Sequence, residues 1–302
     1  MKVFVTGASG HIGSAVVPEL IANGHSVVGL ARSEDSAAAI EQMGAEAKLG
    51  TLDDLGLLAE SAESADGVIH LAYKHEAMYS GDLETALRAD IASIAAMGDA
   101  LAGTGKPFVG TSGTALLFMG GIKGRPGTEE DWVDGPGRIA NENAVIALAD
   151  RDVRASVLRL PPTVHSDLDK NGFVPAIIGM ARNAGYSAYV GEGDNRWPAV
   201  HTLDAARMYR LALERAKPGT RLHPVADEGV PFREIAERIG EGLGLETKSL
   251  PADAATDHFG FLTAFITVDN PTSSDLTREW TGWQPEHPGL IDDLREGHYF
   301  GD

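Results

Sequence analysis

The segment VFVTGASGHIGSAVV, residues 3–17, constrains this chain more than any other stretch. A short apolar strand pattern runs into Gly7, Gly10 and Gly13, and a helical pattern follows without a break. Each glycine has a physical task in such a turn. Gly7 permits the tight reversal, Gly10 lets a pyrophosphate approach the backbone, and Gly13 lets the helix pack close to the strand. The helix start adds unpaired N–H groups and the positive end of its dipole, which suit an anion. The glycine spacing alone is a weak signal; between a first strand and a first helix it is a strong one.

The rest of the N-terminal half repeats that alternation. Strand patterns occur at KVFVT (2–6), SVVGLA (26–31), AEAKLG (45–50), GVIHLA (67–72), PFVGTS (107–112) and RASVLRL (154–160). Helical patterns fall at 11–23, 35–43, 53–63, 82–102 and 138–150. Runs this apolar suit strands buried on both faces, and strand–helix alternation predicts a doubly wound, parallel α/β sheet of the Rossmann type. Pro18 interrupts the first helix and predicts a kink, although Ile12, Val16 and Leu20 still share one face. Beyond residue 160 the alternation fails. Helices are expected at 174–184, 203–216 (capped by Thr202) and 231–243, with short strands between them. The expected organisation is a dinucleotide-binding domain over 1–165, its sheet completed by 195–225, and a smaller α/β substrate-binding portion over 166–302.

Composition narrows the function. With 302 residues and 43% hydrophobic content the chain can bury a full-sized core. No run approaches the ~18 apolar residues of a membrane helix, and the N-terminus lacks signal-peptide character. There is no cysteine, which excludes disulfides and thiolate chemistry and fits a cytoplasmic protein. The net charge of −19 repels phosphate backbones and argues against a nucleic-acid partner. The ten histidines show no metal-ligand spacing, so no metal is expected. At the tip of the second strand, GLARSED, no carboxylate awaits a ribose 2′-OH; Arg32 and Ser33 stand there instead. Arg32 suits a 2′-phosphate, so NADP(H) is the preferred cofactor and NAD(H) the second choice, with Glu34 and Asp35 weighing against Arg32.

These motifs together resemble the extended and atypical short-chain dehydrogenases/reductases, the NAD-dependent epimerase/dehydratase family. TGASGHIG matches the TGxxGxxG turn, LGTLDD the adenine segment, VGTSG the active-site serine at Ser112, LRLPPTVH the segment beside the nicotinamide, and RWPAVHTLDAA a wall of the substrate pocket. TREWTGWQP is similar to a C-terminal signature of the family. The resemblance implies cofactor contacts from Gly7, Ser9, Gly10, His11, Ile12 and Gly13, from Thr51 and Leu52, from Leu71 and Ala72, and from Pro161.

The family's catalytic Tyr-x-x-x-Lys pair is absent. At its place the chain reads RIANE, with Arg138 for the tyrosine and Glu142 for the lysine. An arginine does not release a proton near neutral pH, so Arg138 is expected to hold a substrate carboxylate or a cofactor phosphate, and Glu142 to accept from ribose hydroxyls. Hydride transfer to a carbonyl then needs another proton donor. Ser112 is placed to polarise the carbonyl; His201, His165 and Tyr73, with Lys123 behind them, are the candidate donors. Trp132 and Trp197 are expected to wall the substrate pocket, and the glycine-rich loop 113–137 to act as a lid. The expected function is an NADP(H)-dependent oxidoreductase acting on a small carbonyl or alcohol, with a non-standard proton donor. The alternatives are an NADP(H)-binding redox sensor without turnover and a nucleotide-sugar epimerase or dehydratase. The chain is expected to be a monomer or a homodimer, helices 82–102 and 138–150 being the pairing elements in many relatives.

Overall fold

The computed structural model describes residues 1–79 and 81–301. Its twelve strands are β1 (Lys2–Thr6), β2 (Ser26–Ala31), β3 (Glu46–Leu49), β4 (Gly67–His70), β5 (Pro107–Gly113), β6 (Arg154–Leu160), β7 (Thr163–His165), β8 (Ser187–Val190), β9 (Arg196–His201), β10 (Thr220–Leu222), β11 (Asp227–Pro231) and β12 (Thr247–Leu250). Seven form one parallel sheet in the order β10-β6-β5-β4-β1-β2-β3. The order reverses between β1 and β4, which opens a crevice at the carboxyl edge of the sheet.

Ten helices matter for the site: α1 (Gly13–Ala22), α2 (Glu34–Gln42), α3 (Leu55–Ser64), α4 (His75–Tyr79), α5 (Leu83–Leu101), α6 (Ala115–Met119), α7 (Arg138–Ala147), α8 (Phe173–Ala184), α9 (Thr202–Arg215) and α10 (Phe232–Leu243). Strand alternation sorts them into two layers. Val3 and Val5 point to one face, where Val16, Leu20, Met208 and Tyr209 of α1 and α9 cover them. Phe4, between them, points to the other, against Leu58, Met97 and Val145 of α3, α5 and α7. Burying side chains of this size contributes roughly 1.5–3 kcal/mol each. Pro18 is carried within α1 on its exposed side, where its missing N–H leaves the packed face intact.

Two expectations need correction here. The segment 195–225 completes the sheet only through β10; β9 leaves it to lie between β7 and β11 in a separate three-stranded sheet. Thr202 does not cap α9. His201 does, its Nδ1 accepting the Leu203 N–H at 3.3 Å, while the Thr202 hydroxyl donates to the His165 carbonyl. The remaining C-terminal residues build their own core from Val174, Trp197, Phe232, Ile239 and Phe259. Among the described residues no helix is long and apolar enough to cross a membrane.

Candidate active site

The site begins at the glycine turn, and its shape can be tested residue by residue. Gly7 has φ +71°, and a Cβ there would lie 2.8 Å from the Ala72 backbone nitrogen. A Cβ on Gly13 would fall 2.1 Å from the Gly7 carbonyl oxygen. Neither position tolerates a side chain, so strand, turn and helix are locked together as a cradle. No side chain caps the N-terminus of α1, and Ser9 and Gly10 are exposed. The free end of the dipole is thus open to an anion such as a dinucleotide pyrophosphate. Ile12 packs under the turn against the first core cluster. The His11 side chain turns away, its Nε2 lying 2.8 Å from Thr202 Oγ1. Burial, with the neighbouring His165, lowers its pKa to about 4.

Thr6 ties the tips of β1 and β4 together. Its hydroxyl oxygen accepts the Leu71 and Ala72 N–H groups at 3.2 and 3.1 Å and lies 2.7 Å from His70 Nδ1. The Thr6 proton therefore points at Nδ1, and the ring N–H at Nε2 donates to Asp90 Oδ1 at 3.1 Å. Asp90 Oδ2 accepts from Asn141 Nδ2 at 2.7 Å and from Arg138 Nη1 at 3.2 Å. Burial pulls the Asp90 carboxyl upward, but His70, Arg138 and Asn141 outweigh it and hold the group below its ordinary range.

Beyond the tips of β3 and β4, Leu52 is buried and Leu71 and Ala72 are half-buried beside the turn. Thr51 donates both its N–H and its hydroxyl to Asp54. Ser33 caps α2 by accepting the Ser36 N–H. Arg32 is exposed and pairs with Glu76 at 2.8 Å, while Lys74 grips Asp53 with contacts of 2.8 and 2.7 Å. Both pairs run from the segment after β4 to the tips of β2 and β3.

Positions 138 and 142 diverge sharply from each other. Arg138 lies at the mouth: it donates to Asp90 and to the Thr111 carbonyl, and its guanidinium sits 4.3 Å from the centre of the Tyr73 ring. Glu142 points inward. Its carboxylate accepts from fully buried Arg159 at 2.6–3.1 Å, from Arg221 at 2.9 Å and from Ser112 Oγ at 2.5 Å. Burial raises its pKa, yet Arg159, Ser112 and Arg221 together hold it below the usual glutamate value. The expected ribose acceptor is corrected on this geometry: the Glu142 carboxylate is committed to two arginines. Ser112 is affected too, because its single proton is spent on Glu142.

The histidines and tryptophans also need correction. His165 is 0% exposed, enclosed by Asp293 at 2.9 Å from its Nδ1 and by the His201 ring, and full burial of the whole residue keeps it from the crevice. His201 is 8% exposed, stacked on His287 with centroids 4.7 Å apart. Burial and the neighbouring His165 and His287 lower its pKa to about 4, so it holds no extra proton to donate at neutral pH. Trp197 is interior, donating to the Phe265 carbonyl, because β9 left the main sheet and took it into the C-terminal core. Trp132 is 59% exposed. The loop 113–137 is anchored rather than free. It carries α6, Gly127 bridges to Thr272, buried Glu129 accepts the Thr277 N–H, and Arg159 donates to the Asp131 carbonyl. Lys123 is drawn over the Phe118 ring. Pro161 is buried behind the end of β6.

Sequence reasoning missed His70, Asp90, Arg159 and Arg221. A signal existed for two of them. Asp90 lies on the buried face of α5 with Ala86, Ser93, Ile94 and Met97, and Arg159 interrupts an apolar strand. A charge in such a place requires a partner.

A family model described as NAD dependent epimerase/dehydratase family matches residues 3–223. An uncharacterized protein of Schizosaccharomyces pombe is 46% identical over 303 residues, covering 99% of this chain and 100% of that protein. The sterol-4-alpha-carboxylate 3-dehydrogenase, decarboxylating, of Dictyostelium discoideum is 26% identical, covering 82% of this chain and 78% of its own. Among solved structures, a dTDP-glucose 4,6-dehydratase from Streptomyces venezuelae with NAD bound superposes with a TM-score of 0.75 at 19% identity, over 99% of this chain and 96% of that one.

Proposed function

The chain belongs to the NAD-dependent epimerase/dehydratase family, and from that premise we propose that it is an NADP(H)-dependent oxidoreductase that reduces a small carbonyl compound or oxidises the alcohol. Residues 1–165 carry the dinucleotide and residues 166–302 shape the substrate side. The observation that carries the reading is the glycine cradle, where backbone closes tightly on Gly7 and Gly13 and the helix that follows has no side-chain cap. The dehydrogenase relative and the NAD-bound neighbour support a nicotinamide cofactor. When bound, that cofactor supplies or accepts hydride. Gly7, Ser9, Gly10, Ile12 and Gly13 would hold its pyrophosphate, Leu52, Leu71 and Ala72 its adenosine, and Arg32 its 2′-phosphate. The Arg32–Glu76 pair is exposed on both sides and therefore weak, so a phosphate can take the guanidinium from Glu76.

The test is a binding titration with NADPH and NADH, followed by a panel of ketones and aldehydes read at the nicotinamide absorbance. Arg32→Ala should weaken NADPH about tenfold or more, the worth of one charged hydrogen bond, and leave NADH unchanged. Equal losses for both would remove the NADP(H) preference. A second reading, a redox sensor that binds without turnover, is favoured by one observation: Ser112 and Glu142 satisfy each other and two arginines instead of facing the crevice. Tight NADPH binding with no carbonyl reduced across the panel would establish it.

A further inference from the structure

The family's tyrosine is missing at position 138, yet a phenol lies against the residue that replaced it. We propose that Tyr73, clasped by Arg138, is the proton donor of the reaction, and that Asp90 and His70 are positioning residues that hold Arg138 in place. The proposal rests on the oxidoreductase reading and deepens it.

The geometry leaves little else. His165 is sealed against Asp293, His201 caps α9 through Nδ1, and Lys123 is drawn over Phe118. Among the described residues the buried Tyr73 hydroxyl makes no hydrogen bond of good geometry, with Arg138 the donor that lies nearest to making one. Such a group costs free energy unless something absent from the protein completes it, and a substrate oxygen is a fitting complement. Tyr73 follows the end of β4 directly after Ala72, whose backbone closes the glycine cradle. It is thus beside the crevice, where a bound nicotinamide would need an acid.

Arg138 places a fixed positive charge over the Tyr73 ring. Its guanidinium over the ring favours a phenolate electrostatically and never competes as an acid. It cannot swing away freely, because Asp90 and the Thr111 carbonyl hold its two terminal nitrogens. Asp90 is fixed in turn by Asn141 and by His70, which Thr6 orients. Among the described residues the groups facing Tyr73 are Arg138, Asp90 and, edge-on at 5.4 Å, His75. Burial raises the phenol pKa, with Asp90 acting in the same direction and Arg138 opposing them, so the group stays protonated at neutral pH.

The step balances with reduced nicotinamide as the hydride source. The carbonyl carbon gains hydride, the π electron pair moves to oxygen, and that oxygen takes the Tyr73 proton. The phenolate left beside Arg138 regains a proton from water. The carbonyl is reduced by two electrons and the dinucleotide is oxidised.

Two measurements test this. Tyr73→Phe keeps the ring under Arg138 and should cut carbonyl reduction about 100-fold or more, with NADPH affinity within twofold of the parent. Retention of more than a third of the turnover would overturn the donor role. Separately, alkaline titration of tyrosinate absorbance in the cofactor-free protein, taken as parent minus Tyr73→Phe, isolates one of six tyrosines. In an Arg138→Met background that transition should move to higher pH, and Arg138→Lys should bring it part of the way back. Asp90→Asn should shift it as well. An unmoved transition would remove the coupling to Arg138. A protein that binds NADPH but reduces nothing removes the oxidoreductase reading and the donor role together, while the titration still decides the coupling.

Discussion

Replacing Glu142 by glutamine should cost stability rather than cofactor affinity. The side chain is 2% exposed and faces Arg159, which is 0% exposed, with four oxygen–nitrogen contacts from Arg159 and Arg221 and one from the Ser112 hydroxyl. Removing the carboxylate strands a buried guanidinium beside a second one. Breaking one side of a buried pair costs about 3–5 kcal/mol. At about 2 °C per kcal/mol for a chain of this length, the melting temperature should fall by about 6–10 °C. Urea denaturation and calorimetry measure the loss; NADPH titration well below the transition measures binding. A double variant, Glu142→Met with Arg159→Met, should recover about 1–3 kcal/mol of the deficit, because the fully buried of the two stranded charges leaves with its partner while Arg221 keeps its contact with Asn143. The folded-state pKa of Glu142 is depressed, so the stability it contributes is present above its unfolded value of 4.5 and is lost as pH falls through the lower folded value. The acid limb should therefore be shallower in Glu142→Gln below pH 4.5. A loss under about 1 kcal/mol accompanied by a tenfold weaker NADPH complex would refute the reasoning and return Glu142 to the ribose.

Gly13→Ala puts a methyl 2.1 Å from the Gly7 carbonyl, so the turn must open; overpacking of this kind costs about 1–3 kcal/mol. NADPH fluorescence should show binding lost while far-ultraviolet circular dichroism is kept, and unchanged affinity would rule out the cradle. His223 is fully buried between Arg159 and the Ser273 carbonyl, and burial with the Arg159 charge lowers its pKa to about 3. The unfolded chain takes up that proton near pH 6.5 and the native state does not, so stability falls with pH over the interval between. Asp169, raised by burial to about 6, binds a proton earlier in the native state and works against the decline. His223→Gln should reduce the slope of unfolding free energy between pH 6 and 4 by about 1.4 kcal/mol per pH unit. Urea titrations at pH 7, 6, 5 and 4 would expose an unchanged slope.

Much of the architecture was written in local pattern. Apolar runs of strand length, each followed by a helical period and punctuated by glycine, determine a doubly wound sheet because both faces of each strand must be covered. The cradle was equally legible, since the positive φ of Gly7 is a local demand of the turn and Gly13 answers to the Gly7 and Ala8 carbonyls a few residues back, although the Ala72 backbone that closes on Gly7 comes from afar. The loss of the Tyr-Lys pair could also be read from RIANE, as could the lack of an acid at the β2 tip. The destination of the polar side chains could not. Whether Glu142 meets a ribose or an arginine depends on Arg159 and Arg221, 17 and 79 residues away, and on helix α7 presenting one face to the sheet. Trp197 went to the interior because β9 chose a different sheet, a decision between two pairings that alternation does not encode. Arg138 over Tyr73 is likewise a meeting of two elements brought together only when α7 docks against β5, β6 and α5. Backbone form follows from neighbours in the chain, whereas the partner of a buried charge is settled by whichever distant group desolvation brings within reach.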